Sequence, residues 1–183
     1  RHIRRFPNFI FYKYHSAHSS VTERFRQPKT FSDQIIETVT YIEKASKGTL
    51  PGITTGNLAL DKITGGLMRK ELFAIAARPG MGKTVEAVTL AKSAAMCGYQ
   101  VRFESLEMTA TSVICRFISS DQELDGYKLR MGTLQDHEWS VLNNSAVLLS
   151  DLPITIDDRA GKTIQEIKHG AIKQKQKFGL DLL

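Results

Sequence analysis

The stretch Leu72-Phe73-Ala74-Ile75-Ala76-Ala77-Arg78-Pro79-Gly80-Met81-Gly82-Lys83-Thr84 decides how the rest of the chain is read. Its first five residues form an apolar run of strand length, and the helical-looking Val85 to Cys97 follows it. Strand, glycine-bearing loop, Lys-Thr and helix is the order a phosphate-binding loop requires. Successive backbone N–H groups curl round a phosphate, and the helix N-terminus adds partial positive charge. In such a loop Lys83 reaches the β- and γ-phosphates and the Thr84 hydroxyl ligates Mg²⁺. One position departs from the G-x-x-x-x-G-K-[ST] pattern, because Ala77 stands where the first glycine is expected. A Cβ there costs on the order of 1–2 kcal/mol if the backbone must be left-handed, and little if it need not be.

Composition narrows the class. At 183 residues the chain suits one domain with an appendage and can bury a substantial core. No apolar run approaches the roughly 20 residues needed to span a bilayer, so no membrane partner is expected and the chain reads as cytoplasmic. Cys97 and Cys115 are the only cysteines, and both read as small buried hydrophobes in a reducing compartment. The net charge of +6 has a location: residues 1–30 carry seven basic side chains against the single acid Glu23, which leaves the remainder balanced. Overall basicity therefore does not argue for a nucleic-acid surface on the body of the chain.

Taken in order, residues 1–30 are a basic aromatic extension without a clear period, expected to be poorly ordered. His15 and His18 lack companion ligands for a metal site. Residues 31–50 contain a helix over 33–47, with Ile35, Ile36, Val39 and Ile42 on one stripe and Gly48 and Pro51 as stop signals. The stripe alone favours burial on its own domain. From residue 51 onward strands and helices alternate. Strands are predicted at 72–76, 100–105, 153–157 and from Leu180. Helices are predicted at 83–97, after Thr109, at 126–131, over 134–149 opened by Thr133, and after the capping box Thr163-Ile164-Gln165-Glu166. Val85, Val88, Leu90, Ala91, Ala94, Val113, Ile114, Phe117, Ile118, Trp139, Leu142, Val147 and Leu148 are the expected core positions. This order predicts an α/β fold whose parallel sheet is covered by helices on both faces.

Phosphoryl transfer further needs a residue that orients the attacking water, a second Mg²⁺-holding acid and positive charge at the transition state. Glu107 lies two residues past the second strand, at the carboxyl edge where parallel sheets bind ligands, and competes with Glu104 inside the strand. Asp157 and Asp158 end a strand but open into a turn with Arg159-Ala160-Gly161, which reads as solvated rather than metal-binding.

In chain order stand Gly52-Ile53-Thr54-Thr55-Gly56, Leu60-Asp61, Gly65-Gly66-Leu67, Ala76-Ala77-Arg78-Pro79, Met81-Gly82-Lys83-Thr84 and Ser105-Leu106-Glu107-Met108. This series resembles the RecA-like ATPase domain of replicative hexameric DNA helicases of the bacterial and phage DnaB type, over about residues 33–183. In that setting Ala77 is ordinary. The resemblance implies ATP and Mg²⁺ as cofactors and a nucleotide cradle of Ala77, Arg78, Pro79, Gly80, Met81, Gly82, Lys83 and Thr84. Lys83 is then catalytic as well as binding, Thr84 is the Mg²⁺ ligand, and Glu107 polarises the attacking water. It also implies that helix 33–47 joins a hexameric ring of identical subunits, reversing the reading from the stripe alone. Single-stranded DNA, primase or a helicase loader would be the further partners. The family's Mg²⁺-anchoring Asp and arginine finger would lie beyond Leu183, so the resemblance implies a core incomplete at its C-terminus. Negligible DNA-stimulated ATPase is expected of these residues alone. The alternatives are a non-catalytic ATP-binding or ring-interaction fragment, and another RecA-like ATPase of the recombinase type.

Overall fold

A computed structural model describes residues 2–6, 9–15, 29–46, 52–122 and 124–183, which fall into two compact units, residues 1–83 and 84–183. The stop signals Gly48 and Pro51 and the residue His18 lie outside the described residues. Among the described residues no helix is long and apolar enough to cross a membrane.

In the first unit, β1 (His2–Phe6), β2 (Phe9–His15) and β3 (Glu71–Ala76) form a three-stranded antiparallel sheet in that order. β2 runs along all of β3, from Ile10 opposite Ala76 to His15 opposite Glu71. The expectation of an extension without regular period differs here. Phe-Ile-Phe-Tyr-Lys-Tyr-His is rich in the aromatic and β-branched residues that suit a pleated strand, and a strand edge offers unpaired N–H and C=O groups to receive it. α1 (Phe31–Ser46) is the helix predicted over 33–47, and Ile35, Ile36, Val39 and Ile42 are all exposed along it.

Between α1 and β3, a turn-rich segment is closed by the Ile53–Leu67 bridge and wraps α2 (Leu58–Thr64). Asn57 caps this helix by accepting from the Ala59 and Leu60 N–H groups, and the left-handed Gly65 ends it. Asp61 is buried and accepts three hydrogen bonds: from the Thr54 hydroxyl at 2.6 Å, the Thr55 N–H at 2.9 Å and the Thr55 hydroxyl at 2.7 Å. A buried carboxylate without a cation is tolerable only when its lone pairs are filled in this way. Thr-Thr-Gly and Leu-Asp are therefore one structural knot.

The second unit holds most of α3 (Lys83–Met96), then β4 (Val101–Glu104), α4 (Ala110–Gln122), α5 (Gly126–Met131), α6 (Asp136–Ser150), β5 (Ile154–Asp157) and α7 (Ile164–Lys177). β4 and β5 pair in parallel from Val101–Ile154 to Glu104–Asp157, and Leu182 bridges in parallel to Val101. The expected parallel sheet is thus present here, whereas β3 carries an antiparallel neighbour. Val88, Leu90, Ala91, Ala94, Val101, Val113, Phe117 and Ile118 form the core, with Phe103 and Phe117 edge to face at 6.1 Å.

Several expected core residues lie elsewhere. Trp139 is 47% exposed and Val85 49%, while Ile114, Val147 and Leu148 are also exposed and Leu142 is half-buried. Cys97 is exposed and Cys115 half-buried, so neither is a fully buried hydrophobe. The start of α6 also moves: Gln135, not Thr133, is its N-cap, because the Glu138 carboxylate accepts the Gln135 N–H at 2.8 Å. Lys128 pairs with the same carboxylate, and the two contacts hold Glu138 below its usual range, the Gln135 backbone N–H contributing most. At α7 the predicted Thr163–Glu166 box is formed, and Gly179 with φ 89° follows the helix.

Candidate nucleotide-binding site

The cradle is built by three consecutive choices in the sequence. β3 ends at Ala76, the chain turns through residues 77–82, and α3 begins at Lys83. Gly80 and Gly82 have φ of 78° and 86°, left-handed values that an L side chain resists. A Cβ at Gly80 would meet nothing within 4 Å, so backbone conformation and not crowding demands glycine there. Among the described residues Lys70 is the one non-glycine with positive φ, so Ala77 carries no left-handed strain. The departure from the general loop pattern is therefore free of backbone cost. The loop is open to solvent: Arg78, Pro79, Gly80, Met81 and Gly82 bend through it, and Met81 is 45% exposed. The Met81 N–H donates to the Arg78 carbonyl at 3.3 Å, and Lys83 Nζ donates to the Ala77 carbonyl at 3.0 Å. Lys83 thus folds back across the turn that a phosphate would occupy.

Glu107 lies on the loop between β4 and α4, exposed, with no hydrogen bond or ion pair among the described residues. Its competitor Glu104 is committed elsewhere. Glu104 receives Arg102 Nε at 2.6 Å and the Lys162 ammonium, and Lys162 also contacts Asp157 Oδ1 at 2.9 Å. The Arg102 guanidinium donates further to Asp157 Oδ2 at 2.7 Å and to Gln174 Oε1 at 3.1 Å. Arg159 also donates to the Asp157 carboxylate. The Arg159 guanidinium, followed by Lys162, holds the Asp157 carboxyl far below the usual carboxylate range.

These partners give Asp157 a structural occupation, and Asp158 has one too: its Oδ2 accepts the Ala110 N–H at 2.6 Å. Among the described residues no group of His, Cys, Asp and Glu is arranged to hold a metal ion by itself. The Arg102–Lys162 network escaped the sequence reading. One signal for it existed, an arginine between Val101 and Phe103 in a strand otherwise apolar at its start. Glu104 is near in the chain, but Asp157 and Gln174, more than 50 positions from Arg102, could not be chosen from spacing.

Residues 52–183 match the family described as "DnaB-like helicase C terminal domain". The chain is 33% identical over 158 residues to the "Replicative DNA helicase DnaC" of Bacillus subtilis (strain 168), covering 85% of this chain and 35% of that protein. Two solved structures share the fold. One, described as an "ATPase Domain", matches with TM-score 0.74 and 24% identity, over 85% of this chain and 56% of the other. "The Structure Of A DnaB-Like Replicative Helicase And Its Interactions With Primase" matches with TM-score 0.70 and 25% identity, over 85% of this chain and 38% of that one. The chain spans less than half the length of the curated relatives it matches.

Proposed function

The chain belongs to the DnaB-like helicase C-terminal domain family, and on that premise we propose that it is the ATP-binding part of a replicative DNA helicase motor. The observation that carries the reading is the Ala77–Thr84 turn, with left-handed Gly80 and Gly82 and with Lys83 Nζ held 3.0 Å from the Ala77 carbonyl. These residues fit a nucleoside triphosphate with Mg²⁺. The turn presents backbone N–H groups at the start of a 14-residue helix, and the Lys83 ammonium stands over it.

In this reading Ala77, Arg78, Pro79, Gly80, Met81 and Gly82 cradle the phosphates. Lys83 leaves the Ala77 carbonyl for the β- and γ-oxygens, and Thr84 supplies its hydroxyl to Mg²⁺. When bound, Mg²⁺ neutralises charge that develops on the phosphates. Glu107, exposed and unpaired, is available to accept a hydrogen bond from the attacking water and orient it. Hydrolysis would drive translocation on single-stranded DNA and duplex unwinding during replication. The uncovered stripe Ile35, Ile36, Val39 and Ile42 supports α1 as the contact with a neighbouring subunit in a hexameric ring. Primase, with which one structural relative is described, and a helicase loader are the proposed protein partners.

Mg²⁺-dependent selectivity for a triphosphate tests the reading. Binding of ATP measured with and without Mg²⁺ should show a Mg²⁺ enhancement in the natural protein that Thr84→Ala removes, and AMP should bind far more weakly. Equal affinity for AMP and ATP, or an enhancement that survives Thr84→Ala, would contradict it.

A further inference from the structure

Glu107 sits on a five-residue loop, Ser105 to Thr109, and both ends of that loop are held by the same distant dipeptide. At its start the Ser105 N–H donates to the Asp157 carbonyl at 3.0 Å. Just past its end the Ala110 N–H, first residue of α4, donates to Asp158 Oδ2 at 2.6 Å. Within the loop the Ser105 hydroxyl donates to the Met108 carbonyl at 2.6 Å, and Arg116 reaches the Met108 sulfur. Thr109 caps α4 by accepting the Ser112 N–H at 3.3 Å. Leu106 and Glu107 are exposed side by side at the tip of this closed figure.

We propose that Asp158 is a positioning residue for Glu107: its carboxylate, together with the neighbouring Asp157 carbonyl, fixes the loop from which Glu107 projects. The inference rests on the role given to Glu107 above. Asp157 is itself immobilised by Arg102, Arg159 and Lys162, so the dipeptide is a rigid anchor, not a passive neighbour. An unanchored loop would leave β4 and α4 in place, since each has its own packing, while letting the Glu107 carboxylate wander. Catalytic geometry is sensitive to displacements of that size, and a shift of about 1 Å can cost on the order of a hundredfold in rate.

The test compares Asp158→Ala with Asp158→Asn, whose side-chain carbonyl can still accept the Ala110 N–H. Amide hydrogen exchange at residues 105–110 reads the clamp, and ATP affinity and turnover, measured in the full-length helicase and not in residues 1–183 alone, read the function. Asp158→Ala should expose the Ala110 amide to exchange and lower turnover on the order of 10–100-fold while ATP affinity stays within about twofold. Asp158→Asn should restore most of both, and the global unfolding midpoint should be similar in the two variants. Unchanged exchange at Ala110, or undiminished turnover in Asp158→Ala, would overturn the proposal. So would equal losses in the two variants. Failure of the underlying reading looks different: Glu107→Gln would then turn over like the natural protein, even with the Ala110 amide deprotected by Asp158→Ala.

Discussion

Gly170 in the middle of α7 provides a case where two effects of opposite sign can be weighed from the structure. Alanine is the better helix former, and at an exposed helical position Gly→Ala would stabilise by about 1 kcal/mol. At position 170, however, a Cβ would stand 2.6 Å from Arg102 Nη2 and 3.2 Å from Cζ. Ordinary contact begins near 3.4 Å, so the guanidinium must retreat by several tenths of an ångström or more. It is not free to do so. Its two terminal nitrogens hold Asp157 at 2.7 Å and Gln174 at 3.1 Å, and the side chain is buried. Breaking one hydrogen bond to a charged group costs about 1.5–3 kcal/mol, which exceeds the propensity gain. We expect Gly170→Ala to destabilise by about 0.5–2 kcal/mol net, measured as a lower urea midpoint at unchanged slope. In an Arg102→Ala background the obstruction is gone, and the same substitution should become stabilising by about 1 kcal/mol. A Gly170→Ala protein more stable than its parent, or an effect of the same sign in both backgrounds, would refute the reasoning.

Two carboxylates give further outcomes. Asp61→Ala removes the acceptor from the Thr55 N–H and from the Thr54 and Thr55 hydroxyls, and should cost about 3 kcal/mol or more; Asp61→Asn keeps one acceptor oxygen and should cost less, by urea unfolding. Asp157 has a folded-state pKa depressed first by Arg159 and then by Lys162. Its contribution to stability is therefore complete above the ordinary Asp pKa of about 4 and is lost progressively as pH falls below it. Asp157→Asn should lower stability at neutral pH and flatten the acid limb of a stability-against-pH curve; an unchanged limb would contradict the network.

How far the sequence could be read depended on whether the cause was local. The Ala77–Thr84 turn, the Thr163–Glu166 box and the α5 boundaries at Gly126 and Met131 are set by neighbouring residues, and all were legible. Exposure was not, because periodicity shows that a face is apolar without showing what covers it. Trp139, Val147 and Leu148 lie on the stripe of α6 and still meet solvent. The strand character of Phe9–His15 was hidden for a related reason: its regularity comes from pairing with β3, about 60 residues away, not from alternation in its own sequence. In the candidate site, the place of Glu107 on the loop just past β4 was legible because a short strand fixes the sheet edge. What holds its loop was not, since Asp157 and Asp158 read locally as a solvated turn and only the parallel β4–β5 register brings them to Ser105 and Ala110.

Binding of a nucleoside triphosphate by the Ala77–Thr84 turn, through Lys83, is the claim on which the proposed function stands. Calorimetric titration of Mg·ATP into the natural protein and into Lys83→Ala tests it most directly. Loss of a charge-assisted contact of about 1.5–3 kcal/mol predicts an affinity about 10–100-fold weaker in the variant. Equal affinity in the two proteins would contradict it.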